Sequence, residues 1–306
     1  MPQGESAGRT GRAVPGKVGG RHTLPFVTDA RAAVLTLLDL DGVREAVDAA
    51  RDACTQLRWH EALRRRIPEA SAESRVRGAR ASAFLDGAEL PVDLVRDLVR
   101  GARPWPEHLD PVEEVLRGAI QATAETEHVR GLLVRSPAQA LARLHVAAAS
   151  GMLPAEQVGR PRRDGESSRE FVDLGMPPAP ADIPARLAGV GELIGLAGEV
   201  PVVVAAALVH AELAVVRPFV RGNGLVARAA ERALIAAAGL DPTGVAVPEA
   251  GWLAGGGTAY LGALTAYASG TPQGVGLWLR QAAEAMTRAA SEGVRVADAV
   301  RIGRLG

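Results

Sequence analysis

The stretch RPFVRGNGLVAR, residues 217–228, joins two segments that both have strong helical patterns. The segment before it, PVVVAAALVHAELAVV from Pro201 to Val216, is apolar on every side, which is typical of a buried helix. The segment after it is rich in alanine, the strongest helix former. Gly-Asn-Gly is a turn sequence. The stretch therefore predicts a buried helix, a tight turn and a second helix.

This arrangement points several backbone N–H groups at one space, because the turn and the start of the second helix face the same side. Such a nest attracts anions, phosphates above all. Glycine permits the positive φ angles that the turn needs. We call Gly222, Asn223 and Gly224 the anion cradle, and Arg228 lies one helical turn beyond it. A corner between two helices with no ligand is the alternative interpretation.

Composition favours packed helices and excludes several classes of protein. The chain has 306 residues, is 47% hydrophobic and only 3% aromatic, and has a formal net charge of zero. A neutral chain lacks the basic footprint of a nucleic-acid binder, so we expect no nucleic-acid partner. The longest apolar run, 201–216, contains His210 and Glu212 and is too short for a bilayer. The single cysteine, Cys54, fits a reducing compartment, so a cytoplasmic protein without membrane contact is expected.

Periodicity divides the chain into four predicted parts. Residues 1–24 are rich in glycine, proline and basic residues and predict a disordered tail. Residues 25–107 predict an N-terminal helical region, 108–270 a helical core, and 271–306 a C-terminal helix. Within the core the polar segment 160–178, here called the flap, contains REFVDLG, the best short-strand pattern in the chain. The fold class is therefore all-α, with a small β-hairpin at the flap.

The stretch resembles the signature of the Fic (Fido) domain family, His-Pro-Phe-x-Asp/Glu-Gly-Asn-Gly-Arg-x-x-Arg. Pro218, Phe219, the whole Gly-Asn-Gly turn and Arg228 match it in register. His210 matches a histidine that family members often carry seven residues upstream. Residues 142–162 also look like the family's helix and turn before its target-docking flap. The resemblance implies a Fic core at 108–270 and a protein target that docks at residues 160–178.

The resemblance further implies a reaction that this chain is poorly equipped to perform. Family enzymes usually move AMP from ATP onto a protein hydroxyl, with the histidine as general base and the acidic residue on Mg²⁺. Arg217 stands at the histidine position, and a guanidinium cannot accept that proton. Arg221 stands at the metal position and Leu225 at the first arginine position. We therefore expect no bound metal and no ordinary AMPylation.

A second motif departs from the family in the same direction. Many members carry an inhibitory helix with the pattern Ser/Thr-x-x-x-Glu-Gly/Asn, whose glutamate pairs with the last arginine of the signature. The counterpart here is Glu73-Ser74-Arg75-Val76-Arg77-Gly78, in which Arg77 takes the glutamate position. This degenerate motif, Glu73, Arg77 and Gly78, predicts no inhibitory salt bridge from that segment to Arg228.

Four interpretations of function remain open at the level of sequence. The cradle, with Arg221 and Arg228, binds ATP or another phosphate-bearing ligand without metal; or the site is a scaffold that binds nothing. A third is an active transferase with another donor or base, such as His210, although a core histidine with one hydrogen-bond partner is the simpler interpretation of that residue. The last is a non-catalytic protein that binds a partner at the flap. No HExxH or CxxC pattern indicates a metal site, and oligomeric state has no sequence signal.

Overall fold

The computed structural model describes residues 26–304, so the tail predicted at 1–24 lies outside the described residues. Within that range the chain forms twelve α-helices joined by turns and short 3₁₀ segments. They are α1 (Phe26–Thr36), α2 (Val43–Arg58), α3 (Ile67–Leu85), α4 (Val92–Arg100), α5 (Pro111–Arg135), α6 (Pro137–Ala149), α7 (Ile183–Gly195), α8 (Val202–Val216), α9 (Asn223–Ala237), α10 (Pro248–Gly255), α11 (Gly257–Ala268) and α12 (Pro272–Arg301). The predicted all-α class is confirmed.

Helix α8 is the centre of the fold, as its apolar sequence predicts. Almost every one of its residues is buried, and it packs against α7, α9 and α12. Helix α9 then packs against α5 and α6, which brings the turn between α8 and α9 next to the end of α6. No helix in the described range is long and apolar enough to cross a membrane. The all-round apolar character of α8 is therefore explained by burial within the protein.

Helices α2 and α12 pack together against this centre. Helix α12 has 30 residues and packs against α2, α10 and α11. Trp278 on α12 is completely buried, and its indole N–H donates to the carbonyl oxygen of Ala207 on α8 at 2.9 Å. One hydrophobic core extends from Val34 to Val300. The predicted boundaries at residues 107 and 270 stay predictions.

The predicted β-hairpin at the flap is wrong, because no strand exists between residues 26 and 304. Phe171 lies in the left-handed region with φ 52°, and Gly175 has φ 74°, so the REFVDLG segment bends where a strand would extend. A 3₁₀ turn occupies Val172–Leu174. The guanidinium of Arg217 donates to the carbonyl oxygens of Glu170, Phe171 and Gly175. Side-chain donors thus take the place of the partner strand that a hairpin requires.

Candidate functional site

The turn after α8 is held shut by one side chain. Arg217 ends the helix in the left-handed conformation, and Gly222, at φ 86°, precedes the first residue of α9. The side chain of Asn223 reaches back across the turn: its Oδ1 accepts from the N–H of Phe219 and its Nδ2 donates to the carbonyl of Phe219, both at 2.9 Å. The asparagine therefore fixes the direction in which the backbone N–H groups of the cradle point.

The anion cradle is occupied by a carboxylate of the chain itself. The N–H of Gly222 donates to Oε1 of Glu170 at 2.6 Å, and the N–H of Asn223 donates to Oε2 at 2.8 Å. Nδ2 of Asn223 donates to the same Oε2 at 2.7 Å. Burial and the negative charge of Asp86 raise the pKa of Glu170, although the three donors favour its ionised form. The geometry is that of a cradle that binds an anion and already contains one.

A second carboxylate covers the other end of the cradle. Asp86, just after α3, forms a salt bridge of 2.8 Å with the fully buried Arg228. Nε of Arg228 also donates to Oγ of Ser82 at 2.8 Å. Burial acts most strongly and lowers the pKa of Arg228, but the charges and hydrogen bonds of Asp86 and Tyr260 together outweigh it and the pKa is raised. A Cβ on Gly224 would lie 2.7 Å from Oδ1 of Asp86, so only glycine leaves room for this contact.

Arg217, which the sequence resemblance aligns with a general base, holds the flap instead. Its side chain is 1% exposed. Nη1 donates to the carbonyl oxygens of Glu170, Phe171 and Gly175 at 3.3, 3.1 and 2.9 Å. Nη2 is buried without a hydrogen-bond partner among the described residues. Every polar atom of a guanidinium is a donor, so this group holds the flap and accepts no proton.

The residues at the position that the sequence resemblance assigns to a metal do not fit a Mg²⁺ ion. Arg221 places a positive charge there, and its Nη1 pairs with Oε2 of Glu114 at 3.3 Å. Magnesium needs oxygen ligands, usually one or two carboxylates with substrate phosphates. The described part of the chain contains no group of three or more histidine, cysteine, aspartate or glutamate side chains placed to hold a metal.

His210 is fully buried between two polar side chains. Its Nδ1 lies 2.7 Å from Oε2 of Glu231, and the indole N–H of Trp252 donates to that same oxygen at 2.9 Å. Since the carboxylate oxygen accepts, Nδ1 carries the proton and Nε2 accepts from the hydroxyl of Tyr260 at 2.8 Å. Both ring nitrogens are therefore used inside the core, where the sequence interpretation expected one partner.

His145 on α6 positions the turn and has no counterpart among the sequence predictions. Its Nδ1 accepts from the N–H of Gly159 at 2.9 Å, and its Nε2–H donates to the carbonyl of Arg221 at 3.0 Å. The ring stacks on Phe219, with 3.8 Å between the ring centroids. Burial lowers the pKa of His145 to about 4, although the bond to Arg221 acts in the opposite direction. The turn is thus buttressed by a neutral imidazole.

The segment aligned with the inhibitory motif lies in α3 and braces that helix. Glu73 pairs with Arg96 at 2.8 Å, and Arg77 pairs with Glu292 on α12 at 2.5 Å. A Cβ on Gly78 would lie 2.5 Å from Nη2 of Arg232, so this glycine allows a close side-chain approach. The signature's last arginine is paired all the same, by the carboxylate at the end of this helix.

A cavity of about 450 Å³ opens beside the cradle. Most of its lining is apolar, and its charged members are the two cradle carboxylates, Asp173 and Arg221. The apolar lining side chains are Phe84, Leu85, Val115, Met152, Phe171, Val172, Leu225 and Leu261. The cavity therefore combines an anion-binding edge with an apolar wall, which is typical of a small-molecule site.

Comparison with known proteins gives this site its context. The sequence model of the Fic/DOC family matches residues 136–235, which include α6 to most of α9. No curated protein matches the chain. Among solved structures, a Fic family protein from Desulfovibrio desulfuricans G20 is similar, with TM-score 0.65 and 19% identity over 83% of this chain and 74% of that one.

Two further solved structures share the fold. Residues 134–508 of Fic-1 from C. elegans superpose with TM-score 0.59 and 16% identity, covering 91% of this chain and 78% of that one. A Fic domain containing signaling protein from Bacteroides thetaiotaomicron VPI-5482 has TM-score 0.59 and 13% identity, covering 83% of this chain and 98% of that one. At these identities the likeness extends to the fold alone.

Proposed function

From the premise that residues 136–235 form a domain of the Fic/DOC family, we propose that this chain is a Fic-fold binding protein without ordinary, metal-dependent AMP transfer. The observation that carries the proposal is the placement of Arg217. At the position of the general base, a buried guanidinium donates to three flap carbonyls. The family's activity is related to AMPylation, and this chain keeps the family's fold while using its central position for structure.

The chemistry of the missing groups supports the same proposal. Loss of a general base costs roughly 10²–10⁴-fold in rate. A metal ion neutralises the charge that develops on transferred phosphoryl groups, and Arg221 disfavours one at its position. A triphosphate would in addition have to displace the carboxylate of Glu170 and face that of Asp86. Base, metal and phosphate sites therefore all disfavour the transfer.

The test is an incubation of the purified chain with α-labelled ATP, Mg²⁺ and a cell lysate. We expect no labelling of the chain or of lysate proteins above that of a heat-denatured sample. The variant Glu170→Ala, which empties the cradle without restoring a base, should be equally inactive. An active Fic protein run in parallel checks the assay. Robust labelling by the wild-type chain contradicts the proposal.

An active transferase with another donor or base has weaker support. Both ring nitrogens of His210, the alternative base, are bonded in the core to Glu231 and Tyr260. No other histidine of the described range lies on the cradle with a free ring nitrogen, since His145 is bonded to Gly159 and Arg221. A phosphate-bearing ligand such as ATP remains part of the proposal only as a ligand that exchanges with Glu170.

A second candidate function, partner binding at the flap, is favoured by two exposed apolar side chains. Val172 is 69% exposed and Met176 is 93% exposed, and both lie on the flap that Arg217 holds in place. An exposed apolar loop whose backbone is bonded to Arg217 suits a protein target. In photo-crosslinking from residue 174, the double variant Val172→Ser/Met176→Ser should lose the wild-type adduct. Val134→Ser, at a 52%-exposed valine on α5, should keep it. Equal adducts from the double variant and the wild type would exclude the flap.

A further inference from the structure

We propose that the cavity beside the anion cradle binds an amphipathic monocarboxylate, whose carboxylate replaces that of Glu170 on the cradle. The proposal rests on the proposed function, because it assigns to the same site a ligand that needs neither metal nor general base. The chemistry of the ligand is inferred from the carboxylate that the chain already places on the cradle and from the apolar side chains of the cavity beside it. The head group of the ligand, its charge and its apolar body each follow from the residues around the cradle.

The head group follows from the contacts of Glu170. Both carboxylate oxygens are used: Oε1 accepts from the N–H of Gly222, while Oε2 accepts from the N–H and the Nδ2 of Asn223, all between 2.6 and 2.8 Å. Asn223 cannot rotate away, since the same side chain closes the turn on Phe219. The donors are therefore fixed in positions that two oxygens of one planar carboxylate satisfy.

The charge of the ligand follows from the groups around the cradle. Asp86 lies against Gly224 and pairs with Arg228, so the far end of the cradle presents a carboxylate to a ligand and the charge of Arg228 is already neutralised. Arg221 is paired with Glu114. A second anionic group on the ligand would meet a carboxylate without a free cation to offset it. The site therefore favours a single negative charge over a di- or triphosphate.

The apolar body follows from the cavity. Its volume of about 450 Å³ lies within the range of small-molecule sites. Leu225 and Val115 line the wall next to the cradle, and Leu225 occupies the position where the family has a phosphate-binding arginine. Apolar surface at this place stabilises a hydrocarbon or aromatic group and repels a phosphate. Head group and body together define a carboxylic acid with an apolar tail.

The flap is constructed so that Glu170 can leave. The glutamate reaches the cradle from a loop without a partner strand, and the next residue, Phe171, has φ 52°. Such a conformation is strained for a non-glycine residue, and release of the loop relieves the strain.

The experiment measures binding of 4-phenylbutyrate to the full chain by isothermal titration calorimetry. In the wild type Glu170 competes with the ligand for the cradle. If the cradle is open in about a tenth of the molecules or fewer, the wild type binds the ligand at least about tenfold more weakly than a variant whose cradle is always open. We therefore expect Glu170→Ala to bind 4-phenylbutyrate at least tenfold more tightly than the wild type. Glu166→Ala is the matched control, because Glu166 lies on the same flap but pairs with Arg160 at 2.7 Å.

Two further probes separate the parts of the proposal. Glu170→Ala should not increase the affinity for the amine 4-phenylbutylamine. It should increase the affinity for inorganic phosphate less than the affinity for 4-phenylbutyrate. An equal gain in affinity for the amine would show that binding is hydrophobic only. A larger gain in affinity for phosphate than for 4-phenylbutyrate would exclude a role for the apolar body. Either result overturns the proposal, and so does an unchanged affinity for 4-phenylbutyrate.

Circular dichroism checks that the variant is folded, and Glu170→Gln, which keeps the size of the side chain, replaces Glu170→Ala if the latter is not. A gain for 4-phenylbutyrate with Glu170→Gln supports the proposal in that case, and no gain overturns it. Labelling with ATP in the assay described above would contradict the proposed function. The calorimetry tests separately whether a ligand carboxylate replaces that of Glu170 on the cradle.

Discussion

Single side chains around the turn have roles that their neighbours determine. Arg217 is a donor to three carbonyls of the flap, and Glu170 returns a carboxylate from the flap to the turn. Both contacts join the turn to the flap: in the first the turn supplies the cation, and in the second the flap supplies the anion. His145 then supports the turn from beneath through its bond to the carbonyl of Arg221. The local structure therefore depends on the protonation state of buried groups.

His145 makes the stability of the protein depend on pH. Its pKa is about 4 in the folded chain against an ordinary value of 6.5, so the unfolded chain binds the extra proton between these values. The contribution of His145 to the free energy of unfolding is fully present above pH 6.5. It falls as the pH decreases toward 4 and levels off below that pH. The loss is on the order of 3 kcal/mol. Urea unfolding at pH 7.5, 5.5 and 4 measures it.

The variant His145→Asn isolates this contribution. It should be less stable at pH 7.5 and should lose less stability than the wild type on acidification. His128→Asn is the control, because the side chain of His128 is 66% exposed and lies away from the turn. If His145→Asn and the wild type lose stability equally between pH 6.5 and 4, the imidazole has no such role.

At the scale of the helices, the position of the turn depends on how closely α5 approaches α6 and α9. Gly118 on α5 faces the carbonyl of Ala148, and an added Cβ would lie 2.2 Å from that oxygen and 3.1 Å from Cδ1 of Leu225. The first distance is too short for any side chain. The glycine therefore sets the distance between the helices that enclose the cradle.

Replacement of Gly118 by alanine should force α5 and α6 apart. We expect Gly118→Ala to lower the free energy of unfolding by about 1–3 kcal/mol, as overpacking typically does. Gly131→Ala on the same helix is the control, since its Cβ would contact only the side chain of Arg135 at 3.5 Å. That variant should gain about 0.5–1 kcal/mol from helix propensity. Equal stability of the two variants in urea denaturation would refute the close contact.

At the scale of the whole molecule, the segment that matches the family does not make its own core. Helix α8 lies inside residues 136–235, but it packs against α12, and Trp278 of α12 is bonded to it. Ser82 on helix α3 and Asp86 just after it contact Arg228, from more than a hundred residues earlier in the chain. The site is therefore a product of the complete arrangement, including parts outside the family segment.

This arrangement explains what the sequence revealed and what it did not. The helical order and the all-α class follow from local periodicity, and the Gly-Asn-Gly turn follows from glycine chemistry. The flap was misread, because REFVDLG has the local sequence of a short strand, while the donors that bend it come from Arg217, 42 to 47 residues away. Glu170 and Asp86 were missed for the same reason. A buried cradle flanked by arginines predicts that carboxylates will pair with it. The periodicity of the sequence does not identify which aspartate or glutamate side chains reach the cradle.

The bonds of Arg217 to the flap have a consequence for how this position can change. A histidine there would be shorter and could not satisfy the carbonyls of Glu170, Phe171 and Gly175 together. Substitution of histidine at position 217, the residue of the Fic signature, would thus release the loop before it supplied a base. The neighbours of position 217 constrain it: three flap carbonyls depend on the guanidinium, so a working base there requires several simultaneous changes.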